Sequence, residues 1–177
     1  MRILILILMS LPLWSSAQEE WLPYRSPEGG FKIMTKGIFK EVVTHAKTGI
    51  GDISIHSLVY PKEPKAGETI FTITFYDFPV NTMHSDSTEV IDTFLNQSIQ
   101  AAAESMGGAI IYENDIAVHS FKGKQWRINY AENTMYIKSQ AFLAENRYYL
   151  LSVVSGADES SLSSNHFFNS FRLLGYD

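Results

Sequence analysis

Residues 109–154 read AIIYENDIAVHSFKGKQWRINYAENTMYIKSQAFLAENRYYLLSVV, and this stretch decides the fold. It holds short runs rich in branched and aromatic side chains: Ala109 to Tyr112, Ile116 to Phe121, Gln125 to Tyr130, Met135 to Ala144 and Arg147 to Val154. Residue types that favour strands recur there with turn chemistry between them. Lys122-Gly123-Lys124, Glu132-Asn133 and Glu145-Asn146 are expected to form hairpin turns, and Glu113-Asn114-Asp115 a solvated turn. The gaps are too short for helical crossovers, so the spacing predicts an antiparallel meander. Tyr148-Tyr149-Leu150-Leu151 has no polar alternate, which predicts a sheet covered on both sides.

Upstream, Asp86 to Met106 is expected to be a long helix. Val90, Ile91, Phe94, Leu95, Ile99, Ala102 and Met106 recur at helical spacing as one apolar stripe. Asp86 with Glu89 resembles a capping box, and Gly107-Gly108 is a left-handed stop. Earlier still, Glu68 to Phe78 is a strand with Phe71, Ile73 and Phe75 on one side, paired through the Pro61–Gly67 loop with Ile50 to Tyr60. Phe31 to Thr35 reads as the first strand, preceded by an edge segment carrying Trp21 and Tyr24. At the far end Ser160 to Leu174 predicts a serine-capped helix that gathers Phe167, Phe168 and Phe171, with a last edge strand at Leu173-Leu174. The architecture expected is α+β: an antiparallel sheet of about six to eight strands with helices on both faces, an α/β/α sandwich.

The chain opens MRILILILMSLPLWSSAQ. Arg2, an apolar run from Ile3 to Trp14, and small residues ending at Ala17 are the pattern of a cleavable secretory signal peptide. The apolar run is about a dozen residues, short of the ~20 that span a bilayer. Residues 1–17 are therefore read as a leader and 18–177 as one globular domain, exported to a bacterial periplasm or extracellular space with no membrane anchor. With no cysteine in the chain, neither a disulfide framework nor a lipidated cysteine can form, so the domain rests on core packing. Loss of Arg2 with the leader takes the formal charge from −5 to −6, and no stripe of Lys and Arg stands out, which argues against nucleic acid as a partner.

Two stretches resemble PsbP-like, or Mog1/PsbP-fold, domains. The opening has Trp21, then Glu28-Gly29-Gly30-Phe31-Lys32-Ile33. The close has Arg147-Tyr148-Tyr149-Leu150, then Asn165-His166-Phe167-Phe168-Asn169-Ser170-Phe171-Arg172. With the helix and meander between them, the resemblance covers most of residues 18–177 and implies a sheet-and-helix fold used mostly by non-enzymatic accessory or binding proteins. Lys36-Gly37 stands where such domains usually have a proline after the first strand, and the resemblance brings no ligand or partner residue.

Searching for chemistry yields little. His45, His56, His84, His119 and His166 form no HxH or HExxH pair, although His56 and His119 lie on expected strands. There is no GxSxG elbow around any serine, and Ser155 and Ser170 have no base implied nearby. Asp52 with Glu41, and Glu113 with Asp115, are carboxylate pairs without the twelve-residue calcium-loop pattern. Asn96-Gln97-Ser98 is a sequon inside the expected helix. No cofactor, catalytic residue or metal ligand is assigned.

The least ordinary feature is aromatic content, 9 Tyr, 11 Phe and 3 Trp. Tyr and Trp suit recognition surfaces. Trp126, Arg127, Tyr130 and Tyr136 are expected to form an aromatic binding patch if they share a face; packing under a helix is the alternative. The reading is an exported, non-catalytic binding or accessory module for a protein or small ligand. A carrier of an apolar ligand in a sheet–helix cavity, and a hydrolase with a convergent site, stand beside it. Cleavage after Ala17 predicts that the exported protein begins at Gln18, which N-terminal sequencing or intact mass checks; an uncleaved Met1 would overturn the leader.

Overall fold

The run of strands after the helix pairs as a meander, but with fewer, longer members. The computed structural model describes residues 20–157 and 161–176; the leader expected at 1–17 and the cap expected at Ser160 fall outside them. Strands β1 (Leu22–Ser26), β2 (Phe31–Thr35), β3 (Lys40–Thr48), β4 (Gly51–Tyr60) and β5 (Ile70–Asp77) precede helix α1 (Thr88–Met106). Then follow β6 (Ala109–Val118), β7 (Phe121–Tyr130), β8 (Met135–Ala144), β9 (Arg147–Gly156), helix α2 (Ser161–Ser170) and β10 (Arg172–Leu173). The large sheet is antiparallel with seven strands in the order β3-β4-β5-β9-β8-β7-β6, and a second sheet has the order β1-β2-β10. Helix α1 carries the chain from β5 to the outer edge, and the meander then returns inward until β9 pairs with β5.

Four local expectations are corrected. Glu113-Asn114-Asp115 is not a turn but the middle of β6, and Lys122-Gly123-Lys124 lies inside β7. The turn is at His119-Ser120, where His119 takes φ 55°. An edge strand tolerates polar alternates because one side of it meets water. Strand β1 forms where only an edge segment was expected, and β3, with eight of nine residues exposed, has no apolar alternation to reveal it. Helix α1 starts at Thr88 after Ser87 without a side-chain cap, because the Asp86 carboxylate is engaged by His84 Nδ1 at 3.0 Å and by Ser87 Oγ instead of helix amides. Its end is as expected: Gly107 at φ 58° lets Gly108 N–H reach Ala103 O (2.9 Å) and Gly107 N–H reach Glu104 O (3.1 Å), the paired bonds of a Schellman stop.

Strand β9 organises the interior. Tyr148 packs in one cluster with Ile91, Leu95 and Ile99 of α1 and with Trp126, Ile128, Ala141 and Leu143. Its neighbours Tyr149, Leu151 and Val153 point into the other cluster, with Phe31 and Ile33 of β2, Phe71 and Phe75 of β5, and Phe167, Phe168 and Phe171. One face of the large sheet thus lies under α1. The other is covered by the small sheet together with α2, a mixed layer rather than a second purely helical one. Each buried Phe contributes about 1.5–3 kcal/mol by leaving water, and the rings interlock: Phe31 stacks on Phe171 at 5.2 Å and Phe142 on Tyr149 at 5.1 Å. The Tyr149 hydroxyl donates to Gly29 O at 2.7 Å and ties the small sheet to the large one.

Gly123 is required by packing. A Cβ there would sit 2.3 Å from Ala141 O and 2.6 Å from Phe142 Cβ on the paired strand. Gly123→Ala is expected to cost about 1–3 kcal/mol, read as a lower urea midpoint at unchanged slope. Burial also sets an alkaline limit. It pushes the Tyr76 hydroxyl up to about 12. Burial likewise takes Tyr149 up to about 12 against the pull of Arg147, and raises Tyr148 further, with Tyr76 adding to it. Below the unfolded value near 10 both states keep these protons; above it the unfolded chain releases them first. Stability should therefore be level up to about pH 10 and fall from there towards pH 12. Tyr148→Phe should fall less steeply, and an equally steep decline in that variant would contradict the assignment.

Candidate functional site

Strand β7 alternates cleanly. Trp126 and Ile128 face α1, while Gln125, Arg127 and Asn129 point to the opposite face. Pairing extends that face: Gln125 stands opposite Gln140, Arg127 opposite Lys138, and Asn129 opposite Tyr136. On β6 a bulge between Ile110 and Tyr112 inserts Ile111, so Tyr112 pairs with Arg127 and joins the same face. The small sheet and α2 cover β4, β5, β9, part of β8 and the Val118 and Phe121 ends of β6 and β7. What remains is a polar shelf on β6 to β8, bounded by α2.

A cleft of about 630 Å³ opens where shelf and helix meet, lined by Ile116, His119, Gln125, Gln140, Phe168 and Arg172 among others. Gln140 Nε2 donates to Gln125 Oε1 at 2.7 Å, and Gln125 also bonds the Tyr112 hydroxyl. Burial is the main cause that raises Tyr112 above its ordinary value. Next along the shelf, the Arg127 guanidinium lies 4.1 Å from the Tyr136 ring centre, with Nε donating to Asn129 Oδ1 at 2.8 Å. Lys138 Nζ donates to Asn165 Oδ1 of α2 at 2.6 Å and sits 5.5 Å from the Phe168 ring. Desolvation first, and the Arg127 charge second, hold Lys138 below the usual lysine range. Arg172 Nη1 bonds the carbonyls of Asn169 and Phe171.

The expected aromatic patch is therefore divided. Trp126 is 4% exposed beneath α1, and Tyr130 shares its face by alternation. Arg127 and Tyr136 lie on the other side of the sheet, in contact with each other. The structure brings together the second pair and not the four. Gln125, Lys138, Gln140 and Tyr112 were missed as partners, although polar residues at every second position of β7 and a lone lysine within apolar β8 signal the shelf.

Other reactive groups meet different ends. The Glu113 and Asp115 carboxylates both pair with Lys124 Nζ at 2.9 Å, so a lysine fills the place considered for calcium. His45 Nδ1 lies 3.0 Å from Ser54 Oγ across β3 and β4, a base beside a hydroxyl. Both residues are exposed on the strand surface, and among the described residues no carboxylate orients the imidazole. His119 does not meet His56; its Nε2 accepts the Leu173 N–H at 3.3 Å. His56, Glu28 and Glu41 are the metal-capable group among the described residues, with ligand atoms within 4.8 Å of one another. The carboxylates flank opposite ring nitrogens, Glu41 at Nδ1 (3.1 Å) and Glu28 at Nε2 (3.7 Å), while the ring stacks on Phe75 at 4.7 Å. A metal takes one imidazole nitrogen, so this arrangement serves hydrogen bonding better than coordination. Beside it, Arg147 grips Asp77 through two bonds of 2.6 and 2.7 Å and reaches Glu28 O.

Among the described residues no helix is long and apolar enough to cross a membrane. No family model matches the sequence, and no curated protein matches it. Among solved structures, the solution structure of cyanobacterial PsbP (CyanoP) from Synechocystis sp. PCC 6803 is similar, with a TM-score of 0.53 over 90% of this chain and 95% of that one, at 10% identity. At that identity the likeness is one of architecture, and with the layers described above it gives this chain a PsbP-like fold.

Proposed function

We propose that this chain is a non-catalytic accessory or binding module, exported by its leader, that holds a polar ligand in the cleft between α2 and strands β6 to β8. The observation that carries the reading is the cleft itself, about 630 Å³ and set on rigid strands. That is the size range of small-ligand sites, roughly 300–1,000 Å³. Its glutamines, arginine and histidine offer donors and acceptors, and Phe168 and Phe171 offer one apolar wall. The PsbP-like fold supports an accessory role by analogy only.

Polar lining favours this reading over an apolar carrier. The spaces above and below the sheet are occupied by the two side-chain clusters, and the cleft opens on the polar shelf instead. For the hydrolase reading, His45 and Ser54 are the pair to test.

Fragment screening by amide chemical shifts is expected to move Ile116, His119, Gln125, Gln140 and Asn169 together, and Asn169→Trp, at an exposed lining position, should abolish those shifts. Binders that cluster elsewhere would overturn the cleft. Ester hydrolysis lost in Ser54→Ala would overturn the non-catalytic assignment.

A further inference from the structure

Two other half-buried cations of this sheet are matched by carboxylates. Lys124 has two carboxylates and Arg147 has Asp77. The shelf differs. Arg127 and Lys138 stand directly opposite each other on β7 and β8, both half-buried, and among the described residues neither has a carboxylate within ion-pair distance. Like charges facing across an antiparallel pair repel and destabilise it, and partial burial weakens the screening by water. A folded chain of net charge −5 has carboxylates to spare, yet the described lining of the adjoining cleft includes none and adds a further cation, Arg172.

Both side chains are also held in place by neutral groups. Asn129 accepts from Arg127 Nε and the Tyr136 ring supports the guanidinium, and among the described residues this leaves the outer guanidinium nitrogens for a ligand. Asn165 and Phe168 fix Lys138 from the α2 side. An arginine fork and a point-charge lysine side by side match the geometry of a carboxylate or phosphate group. Tyr112 faces Arg127 from β6, and its hydroxyl, bonded by Gln125, links this pair to the glutamines of the cleft.

We propose that Arg127 and Lys138 form an oxyanion site that receives a carboxylate or phosphate group of the ligand seated in the cleft. This rests on the cleft being the binding site, and it names the ligand class: a small acidic molecule with its charged end on the shelf and the remainder against Gln125, Gln140 and Phe168.

The test uses citrate and pyrophosphate as probes, titrated by calorimetry and by amide shifts, with the neutral fragments above in parallel. At least one anion is expected to bind and to weaken as salt rises, and the tighter of the two separates a carboxylate from a phosphate ligand. Arg127→Gln and Lys138→Gln should each weaken binding by about tenfold or more, whereas Lys122→Gln, on an exposed lysine of the same strand, should not. In the absence of anion, the two glutamine variants should melt at or above the wild-type temperature, because each relieves the repulsion; a purely structural pair would melt lower. If neither anion binds, or if the glutamine variants bind as wild type does, the oxyanion site is wrong. Neutral fragments that still shift the cleft would then leave the cleft reading standing, and a cleft silent to every probe would remove both.

Discussion

A strand that is apolar on both sides must be covered twice, and β9 imposes that condition on this molecule. Tyr148 and Tyr149 are neighbours with 5% and 3% of their surface exposed, each in a different cluster. Neither face can be left to water, since exposing such rings forfeits the main driving force of folding. Helix α1 meets the demand on one side. On the other, β2 pairs with β1 along one edge and with β10 along the other, and α2 lies against β2. The small sheet is thus a consequence of β9 as much as a unit of its own.

The two covers differ in reach, and the proposed binding surface follows from that difference. Helix α1 packs over β7 and β8, so Trp126 and Ile128 are sealed. The opposite layer reaches β6 and β7 only at their Val118 and Phe121 ends, so Gln125, Arg127 and Asn129 farther along β7 are left polar and only partly covered. A cleft arises where a narrow layer sits on a wide sheet, with its floor on strands and its wall on a helix. Residues on such elements are held more precisely than residues on loops. Beside it on the shelf, the Arg127 and Lys138 pair gains nothing for the fold from its mutual repulsion.

Several groups that suggest chemistry in a one-dimensional reading are satisfied internally. Lys124 occupies the Glu113 and Asp115 carboxylates, Arg147 engages Asp77, and His56 bridges Glu28 and Glu41. Arg147 with Asp77, and His56 with Glu28, join segments far apart in the chain, while the Lys124 and Glu41 contacts cross a single pair of adjacent strands. They explain the clustering of charge without a reaction.

Residues 109–156 by themselves determined the meander, because period-2 runs and short turns leave few alternatives, and the stripe from Ile91 to Ile99 with Gly107 determined the long helix. The resemblance in the opening and closing aromatics was enough to anticipate the PsbP-like fold. Strand ends were less legible: Glu113-Asn114-Asp115 has turn composition, yet it extends an edge strand where one side is solvated. The grouping of Trp126, Arg127, Tyr130 and Tyr136 could not be read at all. Nearness along two adjacent strands does not say which face a residue joins, since parity and register decide it. Only the tertiary structure decided that Trp126 is sealed under α1 while Arg127 looks out beside Lys138, and only the unequal width of the two covering layers left that outward face open beside a cleft.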